Sequence, residues 1–500
     1  MNIQANNRFS LAGWLRYHFI TRKLNSVVGY LFIALLGVGV AYISANFSYK
    51  LAFVAVAGFI GLLLAVATVL YPYFGFYWCI VLSTLIFSPE RMFNLPFAYG
   101  LVVEMYTYLT VLGVLTQQYA KQQVHREFWR HPITIMLIIL FLYYTAQVAN
   151  PSMFSKLGWF NYWRKYISFV AFFLVAYSLM NTKKHVRFFV KFWIIFATVL
   201  ALYTIKQHVL GFAGWELNWV MADKDRYDLF FQQGFIRKFS ILADPASAGA
   251  FFAAFAVFIL IIALRTHEKK HKYWLYFFAI LNVLAFSFTG TRTSNLMMIA
   301  GIFFYCVVTI FEKKTKQFLV ASVVGFILLM TIPIYNPVIV RIRSTFAGSK
   351  DPSAALRDFN RNRIQPYMYS HPFGGGIHTS LVEGPIYNPG HPLSNFSPDS
   401  GYMKIAVEQG PIGLALACIF YYLILRTGIR NFFRTRDPEM RMWYVSILCM
   451  IFSLLAGQFS QIVIGQYPTI FFYYPALVIL IKLVEFENTQ PENKNLIGQQ

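Results

Sequence analysis

Arginines at the edges of apolar runs are the residues of this chain best suited to chemistry. Arg237 stands in Gln233-Gly-Phe-Ile-Arg-Lys-Phe-Ser-Ile-Leu-Ala-Asp244-Pro245, and Arg292 in the tight turn Ser287-Phe-Thr-Gly-Thr-Arg-Thr-Ser294. A guanidinium is planar, permanently charged and bidentate toward phosphate oxygens, so an arginine partly desolvated at a membrane edge can grip a phosphate. Gly290 lets the turn be sharp, and the hydroxyls of Thr289, Thr291, Thr293 and Ser294 can donate to an anion. The plainer alternatives are an arginine reaching lipid headgroups at position 237 and an ordinary turn with a helix cap at 290–294.

A third group follows in Arg357-Asp-Phe-Asn-Arg361-Asn-Arg363, then His371-Pro-Phe-Gly-Gly-Gly376 and Ser397-Pro-Asp-Ser-Gly-Tyr402. If its first stretch is helical, two of the three arginines share a face and offer a basic surface to a diphosphate. A solvated basic face is the alternative. Asp399 precedes an apolar helix among mostly positive neighbours. It would stay ionised there, able to accept a proton from a hydroxyl, or would simply favour the helix dipole. His371, His378 and His391 share the segment and could serve instead. Lys404 and Glu408, spaced i, i+4, read as a structural pair, while Glu104 and Lys191 lie within apolar helices where they could line a polar cavity. These segments hold no Gly-rich nucleotide loop, HExxH or paired-Asp metal motif, so neither cofactor nor metal is expected.

The elements that must position these residues are membrane helices. Of 500 residues, 58% are hydrophobic and only 13% charged, and apolar runs recur from end to end. The expected fold is an all-α polytopic transmembrane bundle of about fourteen spanning helices. They fall near 27–44, 51–68, 72–88, 98–116, 132–149, 165–181, 187–206, 243–264, 273–289, 294–311, 317–335, 402–425, 441–458 and 461–483. With residues 1–26 cytoplasmic, the basic stretches 121–130, 183–187, 265–272, 312–316 and 426–441 all fall inside, as the positive-inside rule requires. The same topology puts 150–164, 207–242 and a large loop, 336–401, outside, and leaves 485–500 as a polar, disordered cytoplasmic tail. A net charge of +23 fits nucleic acid, anionic headgroups or a phosphorylated substrate, and its location at membrane edges excludes the first. Cys79, Cys306, Cys418 and Cys449 all lie in apolar runs, so no disulfide framework is indicated.

Three patches resemble the O-antigen ligase and polymerase family, integral membrane glycosyltransferases using undecaprenyl-diphosphate-linked glycans at the periplasmic face. Phe239-Ser-Ile-Leu-Ala-Asp-Pro-Ala-Ser-Ala-Gly249 resembles the stretch ahead of a central helix, and Phe288-Thr-Gly-Thr-Arg292 resembles a Thr-Gly-Ser-Arg turn. Arg357 through His371-Pro-Phe-Gly-Gly-Gly376 to Tyr402-Met-Lys-Ile-Ala-Val-Glu-Gln-Gly410-Pro-Ile-Gly413 resembles the family's large periplasmic loop and the helix after it. By that resemblance Arg237, Arg292 and Arg357 would hold the diphosphate, with Arg292 and Arg357 catalytic beside Asp399. Arg361, Arg363, His371 and His391 would contact substrate, and Gly374 and Gly376 would shape the loop. The implied reaction is attack by an acceptor hydroxyl on an anomeric carbon, with inversion and no metal. Its implied partners are an undecaprenyl-diphosphate-linked glycan, an acceptor glycan or glycolipid, membrane lipids and, as an open option, a chain-length regulator. The implied location is the bacterial inner membrane, with both termini cytoplasmic. Ligases of the family commonly carry a His just before the last motif helix, where this chain reads Ser397-Pro-Asp-Ser400, and that departure favours polymerase over ligase. Transport of the same lipid-linked glycan, or a scaffold role, are the rivals. Charges gathered in outer loops, with no internal repeat, weigh against transport.

Overall fold

The computed structural model describes residues 26–46, 49–93, 99–116, 126–232, 234–333, 336–346 and 352–488. The expected N-terminal segment up to residue 25, much of the basic stretch 121–130, and residues 489–500 of the tail lie outside the described residues. Among the described residues the only regular structure besides helix is a hairpin pairing Phe231–Gln232 with Phe235–Ile236. Among the described residues nine helices are long and apolar enough to cross a membrane, with Gly100–Thr116 and Arg292–Val308 as shorter apolar helices. The chain is thus an all-α polytopic bundle.

The helices form two compact units, one of residues 1–126 with 168–181, the other of 127–167 with 182–500. In the first, small residues bring helices close: a Cβ on Gly113 would lie 2.8 Å from the Val69 carbonyl oxygen. Tyr106 donates to the Gly61 carbonyl at 2.6 Å, and Glu104 is buried nearby in sequence on the same helix.

The second unit carries every candidate site residue. Its central helix, Pro245–Arg265, is apolar on all sides and buried, the pattern of a helix enclosed by others. Asp244 starts it, accepting from Ala246 N at 2.7 Å and Ser247 N at 2.9 Å, with Pro245 preset for the first turn. Around it Phe255 packs 5.1 Å from Trp193 and 5.3 Å from Phe472. A Cβ on Gly301 would come within 2.6 Å of Val257 Cγ1, the close backbone approach on which helix association in lipid depends. At one end of the helices, ion pairs join Lys183 to Asp437, Arg187 to Glu439 and Arg265 to Glu312.

Several expectations change here. Within the segment expected as a large outer loop, 336–401, the described residues include the helices Pro337–Ser344, Pro352–Ser370 and Glu383–Tyr387. The last helix begins at Ile470 rather than near 461, because Gln458 closes Pro438–Gly457 and Gly465 turns the chain with φ 98°. Lys191 is exposed, so it lines no interior cavity. Lys404 lies 3.8 Å from Glu383, while Glu408 accepts from Ser380 Oγ at 2.6 Å, so the i, i+4 pairing of Lys404 with Glu408 gives way to loop partners.

Candidate active site

The turn between Lys269–Thr289 and Arg292–Val308 is built by charge. The first helix ends with Gly290 in the left-handed region (φ 61°, ψ 21°), a conformation glycine adopts at little cost. Its last carbonyls have no intrahelical donors, and the helix dipole makes them negative. Arg237 Nε donates to the Thr289 carbonyl at 2.8 Å, and Arg341 Nε to the Gly290 carbonyl at 2.9 Å. Two guanidiniums therefore neutralise the end of one helix, and Arg292 opens the next, where the dipole is positive and an anion is favoured. Arg237 also donates from Nη2 to Thr291 Oγ1 at 2.8 Å, and Arg341 to Gln232 Oε1 at 2.6 Å. Arg237 is only 7% exposed. Burial first, and then the charges of Arg341 and Arg292, push its pKa down to about 10, still cationic at neutral pH. Gly249 lets the central helix approach: a Cβ there would sit 2.5 Å from Ser294 Oγ and 2.6 Å from Thr289 Oγ1.

The run His371-Pro-Phe-Gly-Gly-Gly376 plugs a broken helix. Gly401–Arg434 is interrupted at Gly410 (φ 72°, ψ 178°), and Pro411 has no N–H to give the carbonyl of Val407. Gly375 N donates to that carbonyl at 2.9 Å, and Gly376 N to the Glu408 carbonyl at 2.9 Å. Tyr143 OH takes the Gln409 carbonyl, and Asn150 Nδ2 donates to Phe373 O at 3.0 Å and Gly374 O at 3.2 Å. Irregular backbone among membrane helices persists only when its polar groups find partners inside the protein, as here. Gly374 and Gly376 lie at this junction rather than beside Arg237.

A turn after Pro438–Gly457 joins the patches. The Gln458 carbonyl accepts from Ser400 Oγ at 3.0 Å and Gly401 N at 2.9 Å, fixing the backbone next to Asp399. Two residues on, Ser460 Oγ lies 3.0 Å from Thr293 Oγ1, next to Arg292. Between them Phe459 carries the Arg361 guanidinium, its Cζ 4.9 Å from the ring centre. Asp399 is half-buried and makes no hydrogen bond or ion pair among the described residues. Arg361 also lies 3.7 Å from Asp358, and Arg363 is exposed on the same helix. Arg357 belongs to that helix too, but its side chain lies outside the described residues.

His391 and His371 are held by hydrogen bonds to their surroundings. Leu393 N donates to His391 Nδ1 at 3.1 Å, so the proton sits on Nε2, which faces Ser152 O at 3.0 Å. His371 stacks on Tyr367 with ring centres 4.0 Å apart and places Nδ1 2.9 Å from Ser370 Oγ. His378 lies 5.5 Å from the Tyr162 ring and 5.8 Å from that of Tyr387. Burial, then Lys404, lowers the His378 pKa, and burial lowers that of His391. For Glu383 burial acts upward, but Lys404 and His378 outweigh it and hold the carboxyl below its usual range. Both histidines titrate below 6.5 when folded, so beneath that pH the unfolded chain binds more protons and stability falls as pH falls. Scanning fluorimetry of purified protein from about pH 7.5 to about pH 5 should show this decline, and His391→Gln should make it shallower while the share of His378 remains.

Arg341 and the Gln458–Ser460 turn were not singled out from sequence as site residues. Arg341 is one charge among several in its segment, with Arg343 and Lys350, and the turn is a short polar break between apolar runs. Among known families, residues 277–418 match the family model described as O-antigen ligase. No curated protein matches the chain.

Proposed function

From the match over residues 277–418, which supports assignment of the chain to the O-antigen ligase/polymerase family, we propose that it is a polymerase of bacterial surface polysaccharide. It joins undecaprenyl-diphosphate-linked repeat units at the periplasmic face of the inner membrane, with both termini in the cytoplasm. What carries this reading is the convergence of Arg237, Arg341 and Arg292 on one turn, linked through Ser460 and Gln458 to the backbone beside Asp399.

In the proposed step the acceptor hydroxyl oxygen bonds to the anomeric carbon from the face opposite the diphosphate. The glycosidic carbon–oxygen bond to diphosphate breaks, and the hydroxyl proton passes to Asp399. Charge grows on the leaving diphosphate, and Arg292 at a helix N-terminus lies where donors of fixed geometry stabilise it without a metal. Arg237 and Arg341 hold the turn and add positive potential. A second reading, transfer of finished glycan to a lipid A core or other acceptor, draws support from the family's description as a ligase.

Surface-glycan gels of a deletion strain test both. Single repeat units on the acceptor mark a lost polymerase, and long glycan retained on undecaprenyl diphosphate marks a lost ligase. An unchanged profile removes glycan joining altogether. Complementation with Asp399→Asn should restore about 10²–10⁴-fold less joining than wild type at equal membrane abundance, the usual worth of a general base.

A further inference from the structure

Phe459 is a large aromatic left 61% exposed, yet its position is tightly fixed. Its N–H donates to Ala456 O at 3.2 Å, and Gln458 Oε1 accepts from Val463 N at 2.6 Å and Ile464 N at 3.1 Å. The residue before it is bonded to Ser400 and Gly401, beside Asp399, and the residue after it meets Thr293, beside Arg292. The Arg361 guanidinium lies over its ring. The polar groups shown at this turn are the Arg361 guanidinium against the ring and Ser460 Oγ, 3.0 Å from Thr293 Oγ1. Ligand pockets combine aromatic walls, which supply contact, with a few polar groups, which supply orientation.

A pyranose ring complements such a surface. Its face presents slightly positive C–H groups to the negative face of an aromatic ring, while its rim hydroxyls remain for hydrogen bonding. Arginine is suited to the rim, with several donors in one plane. The geometry points to Phe459 as the platform for the sugar bonded to the diphosphate, which stacks on the ring face that Arg361 does not cover, with Arg292 and Asp399 beside the same turn. This inference rests on the proposed transfer reaction and names the subsite for its reacting sugar. Phe459 would then hold the anomeric carbon in line between leaving group and base, the placement on which such reactions depend.

The test uses the full-length protein in lipid nanodiscs and two probes, a polyprenyl-diphosphate-linked oligosaccharide and the sugar-free polyprenyl diphosphate. Phe459→Ala should weaken binding of the first about tenfold and leave the second unchanged, whereas Phe459→Trp should bind both as wild type does. Unaltered binding of the glycan-bearing probe by Phe459→Ala would overturn the platform. Equal loss of both probes would also overturn it, assigning the ring to the lipid chain or to folding. Should wild type bind the sugar-free probe and not the glycan-bearing one, the transfer reaction fails, and the platform with it.

Discussion

Alanine at Gly410 is expected to leave little folded protein in the membrane, whereas alanine at Gly390 is expected to be tolerated. Both glycines have positive φ, 72° and 80°, so both substitutions carry a backbone penalty of about 1–3 kcal/mol, and Gly410, with ψ 178°, lies in a region that is essentially glycine's own. The difference lies in what a Cβ would meet. At Gly390 nothing stands within 4 Å, but at Gly410 the new carbon would fall 2.0 Å from Pro372 O and 2.6 Å from Gly374 N. Those are backbone atoms of the inserted loop, and they cannot rotate aside. Overpacking of this kind adds about 1–3 kcal/mol, and relief by moving the loop would strand the Val407 and Glu408 carbonyls among apolar helices. Gly374→Ala should behave like Gly410→Ala, since its Cβ would lie 2.4 Å from the Glu408 carbonyl carbon. Fluorescence-detected size-exclusion chromatography of tagged variants reads the outcome as the height of the monodisperse peak. A full peak for Gly410→Ala would mean that the loop does not seal the broken helix.

How far the sequence reveals this architecture depends on the kind of signal each part leaves. Apolar runs are long and repetitive, so the all-α membrane bundle and most helix positions can be read from hydropathy alone. Helix ends are harder. The expected helix at 461–483 starts at Ile470 because a polar turn at 458–461, Gly465 and Pro468 interrupt a run whose mean composition stays apolar. The Gly410-Pro411 pair signals a break, but nothing local says that a segment some thirty-five residues earlier supplies the missing donors. The same holds for Lys404, whose sequence neighbour Glu408 looks like its partner until Glu383 is brought to it by the loop. At the site, Arg292 stands out because it follows a glycine in a turn rich in hydroxyls, and Arg237 because it stands just ahead of a long apolar helix. Arg341 does not, since one arginine in a basic segment has no distinguishing context. Phe459 leaves no trace at all: in a chain with 52 phenylalanines, an exposed one is identified only by its surroundings.

The arginines of the turn should fail together rather than additively. Arg292→Ala removes a cation from the first position of a helix and should lower glycan joining by about 10²–10³-fold, as loss of a charge-stabilising donor commonly does. Arg237→Ala should cost a similar factor by another route: it leaves the Thr289 carbonyl without the guanidinium and removes one of the two donors to Thr291 Oγ1, and the turn that presents Arg292 loses its shape. Arg237→Lys should recover little of this, because an ammonium cannot donate to both partners with the spacing of a planar guanidinium. Since Arg237 acts through the placement of Arg292, the double variant should be no more than a few-fold slower than the worse single, the signature of coupled residues. The measurement is the initial rate of glycan joining by purified protein with a lipid-linked donor, taken at saturating donor so that lost binding is separated from lost rate. Multiplicative losses in the double variant would show that the two arginines contribute independently, and Arg237 would then have to reach the diphosphate itself.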